Sequence, residues 1–126
     1  MFKLHHTDVC GTPSAVSIPM TAGVQYEAGL PLTATGAVAT GTTKPEYICL
    51  EKATGVAGGT VAAFRILPQF TFEAQLTAAG TSLKVGNKVT IATGGAGVTA
   101  TTTDGTAEIV RIDGTAIGDT VLVKFN

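Results

Sequence analysis

The stretch that decides the fold is Leu83–Thr93, with the sequence LKVGNKVTIAT. It places Gly-Asn directly before a β-branched run, and a near copy of the same device, AIGDTVLVKF, occupies Ala116–Phe125. Glycine followed by Asn or Asp tolerates the positive φ angles of a chain reversal, and Val and Ile suit a pleated, half-buried strand. Both stretches are therefore predicted to be a turn followed by a strand.

The clearest alternation elsewhere in the chain lies in Phe70–Leu76. A strand there would place four apolar side chains on one face, namely those of Phe70, Phe72, Ala74 and Leu76. The alternative is a two-turn helix over Glu73–Ala79, which would be too short to be stable alone. We therefore favour the strand.

Shorter alternating or β-branched stretches predict further strands at Ala15–Ile18, Tyr47–Lys52, Thr60–Leu67, Val98–Thr103 and Ala107–Asp113. In Thr60–Leu67 we expect Ala62, Phe64 and Ile66 on one face, opposite Val61, Ala63 and Arg65. In Ala107–Asp113 we expect Val110 and Ile112 on one face, opposite Ile109 and Arg111. The low-complexity stretch Thr33–Lys44 is predicted to be a surface loop.

Close spacing of short strands and turn signals predicts an all-β fold. We expect a small single-domain β-barrel or β-sandwich of about eight or nine short strands, preceded by an extended N-terminal arm. The chain has 126 residues, enough for one hydrophobic core.

The amino-acid composition argues against several classes of function. The net charge is -1 and only 13% of residues are charged, with Lys and Arg scattered, so no nucleic-acid partner is expected. The chain lacks both a long apolar run and a signal-peptide pattern, which predicts no membrane association and synthesis in the cytoplasm. Cys10 and Cys49 are then expected as thiols, with a single disulfide as the alternative.

The metal-ligand residue types cluster only at His5, His6, Asp8 and Cys10. Adjacent histidines point to opposite sides of an extended chain, and the rest of the sequence offers only Cys49 at a distance. No metal site is therefore predicted. Nucleophilic catalysis needs a base, and the only imidazoles of the chain lie in this N-terminal segment. The serines, Ser14, Ser17 and Ser82, lie in no nucleophile-elbow pattern.

Two carboxylate pairs, Glu46 with Glu51 and Asp104 with Glu108, are interpreted as solvated turn and strand faces. The glycine-rich pieces TGVAGG and TGGAG lack the Gly-Lys-Ser/Thr ending of a phosphate loop. We therefore predict that the protein is not an enzyme and takes neither a cofactor nor a small-molecule substrate.

Four pieces of the sequence, in this order, carry a resemblance to a known family. An N-terminal arm leads into TAGVQYEAGLPLTATG, followed by YICLEKATGVAGGTVAAFRILPQFTFEAQL, SLKVGNKVTIATGGAGVTATTTDGTAEIVRIDG and AIGDTVLVKF. From about Met20 to the end, the chain resembles the small capsid decoration, or cement, proteins of tailed bacteriophages. The resemblance lies in order, spacing and composition.

The resemblance implies a structural virion protein, made in the host cytoplasm, that binds the outer capsid surface and bridges subunits of the major capsid protein. It also implies a homotrimer, with residues 1–20 as the arm and residues 21–126 as the decoration domain. No catalytic residues carry over from the family. The arm supplies the candidate capsid contacts: Phe2, Lys3, Leu4, His5, His6, Asp8 and Val9.

Two alternatives remain at this point. One is another virion β module, such as a tail-tube or baseplate component. The other is a carbohydrate-binding module, although such sites usually stack sugars on exposed aromatic rings, and this chain has no Trp and only Tyr26 and Tyr47.

Overall fold

The computed structural model describes residues 2–7 and 15–125. Within them the chain is all-β, with one short 3-10 turn at Thr93–Gly95. The described residues form eleven strands: β1 Lys3–Thr7, β2 Ala15–Pro19, β3 Gln25–Tyr26, β4 Pro31–Leu32, β5 Tyr47–Cys49, β6 Ala53–Thr54, β7 Thr60–Arg65, β8 Phe70–Gln75, β9 Lys88–Val89, β10 Ala107–Ile112 and β11 Thr120–Lys124.

These strands form two main antiparallel sheets and a small third one. The larger sheet has five strands in the order β1-β8-β11-β10-β9, and the second has four in the order β2-β7-β5-β4. Strands β3 and β6 pair on their own. In the described ranges neither main sheet closes on itself, so the arrangement is an open, sandwich-like one and not a barrel.

The main core lies between the two larger sheets. Phe70, Phe72, Ala74 and Leu76 all belong to it, and β8 continues to Gln75, which confirms the strand and excludes the helix over Glu73–Ala79. Phe64 of β7 reaches across from the four-stranded sheet. Its ring lies nearly parallel to that of Phe72, with centroids 6.1 Å apart and an interplanar angle of 14°. Aromatic pairs of this kind favour one relative placement of the sheets.

A second core covers the opposite face of the four-stranded sheet. The predicted alternation in β7 is confirmed, because Phe64 and Ile66 belong to the main core while Val61 and Ala63 belong to the second. The other buried members of the second core are Ile18, Tyr26, Leu30, Leu32 and Cys49. The four-stranded sheet is therefore buried on both faces along part of its length.

The predicted faces of β10 are wrong, because the strand contains a β-bulge. Ile109 pairs with Val123, and the next pair is Arg111 with Leu122, so Val110 is an extra residue. Such a bulge reverses the alternation beyond it. As a result Ile109 is fully buried and Ile112 packs against the same core, instead of facing the opposite side.

The strand predicted at Val98–Thr103 is also absent from the described structure. Only Val98 makes β-bridges, to Leu76 and Ile91. Beyond it the hydroxyl of Thr99 accepts a hydrogen bond from the backbone N–H of Thr101 at 3.0 Å and lies 2.6 Å from the Thr90 hydroxyl. The backbone stays bonded to Thr90, but not as a regular ladder: the N–H of Thr99 donates to the Thr90 carbonyl at 3.0 Å, whereas the N–H of Thr90 donates to the carbonyl of Thr101 at 3.1 Å.

The two copies of the opening device adopt the same turn. Gly86 and Gly118 have φ angles of 97° and 91°, as predicted. The Asn87 side-chain oxygen accepts from the backbone N–H of Lys84 at 2.8 Å, and that of Asp119 accepts from Ala116 at 3.0 Å. Each turn thereby starts a strand of the five-stranded sheet, β9 or β11.

Candidate functional site

The first of the predicted contact segments is β1, which forms one edge of the five-stranded sheet. Among the described strands it pairs with β8 alone, and its register shifts between Leu4 and His6. Phe2 precedes it and is buried: its N–H donates to the Gly29 carbonyl at 2.9 Å, and its ring packs against Phe125. The start of the predicted arm is thus anchored in the core.

The seven candidate contact residues therefore differ in whether their side chains are exposed and could reach a partner. The Phe2 side chain is inside, Lys3 is exposed and Leu4 is half-buried. The side chains of His5 and His6, and the whole of Asp8 and Val9, lie outside the described part of the structure, as does Cys10.

The second piece of the predicted arm is β2, which forms one edge of the four-stranded sheet. It pairs with β7 over all five residues, from Ala15 opposite Phe64 to Pro19 opposite Thr60. Ile18 fixes the strand in the second core, while Ala15, Val16 and Ser17 are exposed. No residue of β2 is charged, so the usual electrostatic protection of an edge strand is missing here.

Tyr26 holds the chain just beyond β2. Its hydroxyl accepts from the backbone N–H of Thr21 at 2.9 Å and donates to the carbonyl of Gly36. Gly36 must be glycine at this point, because a Cβ would lie 2.0 Å from the Pro19 carbonyl oxygen. Tyr26 is only 1% exposed, so its ring cannot stack on a sugar, whereas the chain's other tyrosine, Tyr47, is half-buried.

The outer face of the five-stranded sheet, unlike the edge strand β2, has charged side chains. Opposite charges face each other across its strands: Lys3 pairs with Glu73, and Glu108 lies between Lys124 and Lys88. Such cross-strand pairs compensate each other's charge on a solvated face. Of the two sheets, the four-stranded one therefore has the uncharged and exposed edge strand.

Two side chains that the sequence analysis considered for chemistry, the Glu51 carboxylate and the Cys49 thiol, contact the body of the fold. Glu51 accepts a hydrogen bond from the backbone N–H of Ala62 in β7 at 2.9 Å, beyond the end of β5. Cys49 is a free, buried thiol, and burial raises the pKa of this thiol above its ordinary value. Within the described residues no group of three or more His, Cys, Asp or Glu side chains is placed to hold a metal ion.

One feature could not be predicted from the sequence. A cavity of about 440 Å³ lies where residues 44–47 meet residues 65–66, and it is lined by Lys44, Pro45, Glu46, Tyr47, Arg65 and Ile66. The two stretches come together because β5 pairs with β7, with Tyr47 directly opposite Arg65. Neither stretch alone has a recognisable motif, so only the strand register could have indicated this cavity.

No protein-family model matches the chain, and no match is found among curated proteins. In the described ranges the structure contains no helix with the length and apolar character needed to cross a membrane.

Proposed function

We propose that this protein is a capsid decoration protein of a tailed bacteriophage, a structural virion protein that binds the outer capsid surface. In this role it stabilises the head by bridging subunits of the major capsid protein. The proposal combines the family resemblance of the sequence with one structural observation. The N-terminal 20 residues supply an outer strand to each of the two main sheets.

An uncharged outer strand is a suitable surface for strand addition. A partner segment that lies alongside β2 gains main-chain hydrogen bonds without needing a particular sequence. The exposed residues Ala15, Val16 and Ser17 are small or β-branched, so little rotamer entropy is lost when they are covered. We therefore place the main capsid contact at β2, with Lys3 and Leu4 of β1 as the candidate contact on the other sheet.

Three copies acting together would strengthen this attachment. We propose a homotrimer in which each copy engages a different capsid subunit, so that weak individual contacts give slow release of the whole trimer. No nucleic acid, membrane or small-molecule substrate takes part.

Co-sedimentation with expanded capsids of the same phage tests the proposal. We expect the protein to pellet with capsids and Val16→Lys to lose most of this binding, because a lysine on an edge strand opposes the addition of a further strand. Val85→Lys is the matched control, since Val85 is also exposed, at 65%, but lies in the turn before β9.

Failure of the unmodified protein to bind capsids would contradict the proposal. Rings or tubes of the isolated protein in negative-stain images would instead favour a tail-tube or baseplate component. If both lysine variants bind like the unmodified chain, the contact does not lie at β2.

A further inference from the structure

We propose that the cavity between residues 44–47 and 65–66 binds a single carboxylate of an acidic peptide segment in a protein partner. The cavity lies at the end of the loop Thr33–Lys44 and next to the β5–β7 pair. Its lining residues belong to β5, β7 and the stretches that adjoin them, whereas the exposed edge of β2 is the side that faces away from β7.

The backbone fixes the positions of the lining residues. The N–H of Glu46 donates to the Leu32 carbonyl, and the N–H of Ile66 donates to the Glu46 carbonyl, both at 2.9 Å. Tyr47 and Arg65 are cross-strand neighbours in the register of β5 and β7. Directly opposed residues of an antiparallel pair have Cβ atoms about 5 Å apart, so both side chains begin at the same cavity wall.

The two basic side chains at the cavity rim, those of Lys44 and Arg65, differ from Arg111 in their surroundings. Within the described residues neither Lys44 nor Arg65 forms an ion pair. The chain's other arginine, Arg111, is in contrast satisfied by Asp113, with its Nε and Nη2 atoms 2.9 and 3.1 Å from the two carboxylate oxygens. Among the described residues, no side chain therefore occupies the fork of donors on Arg65, which can recognise a carboxylate in two-point fashion.

The charge balance and the cavity floor define the class of ligand. Lys44 and Arg65 supply two positive charges and Glu46 one negative charge. The lining therefore has a net charge of +1, which a ligand with one negative charge would neutralise. This balance favours a monovalent carboxylate over a phosphate dianion, which Glu46 would repel. Pro45 and Ile66 are buried and give the cavity an apolar floor, suited to the aliphatic stem of a glutamate side chain.

The identity of the partner as the major capsid protein rests on the proposed function, whereas acid binding by the cavity does not. Under that function, an acidic loop of the capsid protein would occupy the cavity while a second segment lies along β2. Two separated contacts on one partner would raise the affinity above that of either alone.

An NMR titration with N-acetyl-glutamate methylamide tests the inference without capsids. We expect saturable shifts of the backbone amides of residues 46, 47, 65 and 66 and of the Arg65 Nε–H signal. The Arg111 Nε–H signal is an internal control and should not move, because it already donates to Asp113. N-acetyl-glutamine methylamide is the neutral control ligand, and it should cause no saturable shift.

Arg65→Gln should weaken binding roughly threefold to fivefold, as expected for a solvent-exposed charge contact. Arg111→Gln removes the same charge elsewhere and should leave binding unchanged. Equal shifts with the glutamine compound, shifts centred on other residues, or equal affinity of the Arg65→Gln protein would overturn the inference. Capsid binding that persists alongside such a result would leave the proposed function standing, so the two failures are distinguishable.

Discussion

The ring of Phe2 packs edge-on against the ring of Phe125, with centroids 5.3 Å apart and an interplanar angle of 61°. This contact joins the residue before the first strand to the residue after the last one, and both side chains are almost fully buried. The beginning of the N-terminal segment is therefore part of the main core, and its binding role has to be tested without removing this anchor.

Phe2→Ala should lower the free energy of unfolding by about 3 kcal/mol, because the substitution leaves a cavity in the main core. Urea denaturation measures this loss. Phe2→Leu is the control, since it keeps most of the apolar volume and should cost about 1 kcal/mol. If alanine costs no more than leucine, Phe2 is not a packing anchor.

Tyr26→Phe should destabilise the fold by about 1–3 kcal/mol, although it removes a single oxygen atom. The loss leaves the N–H of Thr21 and the carbonyl of Gly36 without the hydroxyl that joins them. Tyr47→Phe is the matched control at a half-buried tyrosine, and we expect it to unfold at nearly the urea concentration of the unmodified protein. Equal midpoints for the two variants would contradict this role of Tyr26.

The repeated turns should respond alike to equivalent substitutions. Gly86→Ala and Gly118→Ala should each cost about 1–2 kcal/mol, because an L-residue is strained at these positive φ angles. A Cβ at either site meets no neighbouring atom within 4 Å, so the cost comes from the backbone alone.

At the following position, Asp119→Ala should cost about 1 kcal/mol and Asp119→Asn less, because Asn keeps the acceptor for the Ala116 N–H. Thermal denaturation of the two glycine variants and the two Asp119 variants, compared with the unmodified protein, measures these losses of stability. An unchanged melting temperature for either glycine variant would mean that its turn does not require the left-handed conformation.

Cys49 should make the stability depend on alkaline pH. Burial raises the pKa of this thiol in the folded protein, so the unfolded chain loses its proton first as the pH rises. The contribution of Cys49 is fully present below the ordinary pKa that the thiol has in the unfolded chain, and it is lost as the pH rises through the folded value. Urea midpoints from about pH 7 to pH 10 should therefore fall more steeply for the unmodified protein than for Cys49→Ala. Parallel curves would show that the thiol ionises equally in both states.

The sequence predicted those parts of the fold that depend on local pattern. The alternation in Phe70–Leu76 and the Gly-Asn and Gly-Asp turns needed no knowledge of neighbours, and both are confirmed. The bulge at Val110 could not be predicted, because it is defined by the register of β11. The strand predicted after Val98 is absent for a related reason: threonine favours strands on average, but here the N–H of Thr90 donates to Thr101 while its carbonyl accepts from Thr99, and this irregular pairing depends on the distant partner.

For the candidate site, the sequence predicted which residues of the chain are involved but not where they lie in the fold. Residues 1–20 were singled out, but the sequence did not indicate that β1 and β2 would be outer strands of different sheets. The cavity at Tyr47 and Arg65 arises from strand pairing between distant residues, for which a single sequence contains no local signal.

Amide hydrogen exchange on the free and the capsid-bound protein tests the central claim most directly. If a capsid segment adds to the outer edge of β2, the amides of residues 15–18 should exchange more slowly in the bound state, while those of β11, the central strand of the five-stranded sheet, should not change. Protection confined to other surfaces, or unchanged exchange across residues 15–18 in protein that has demonstrably bound, would contradict the claim.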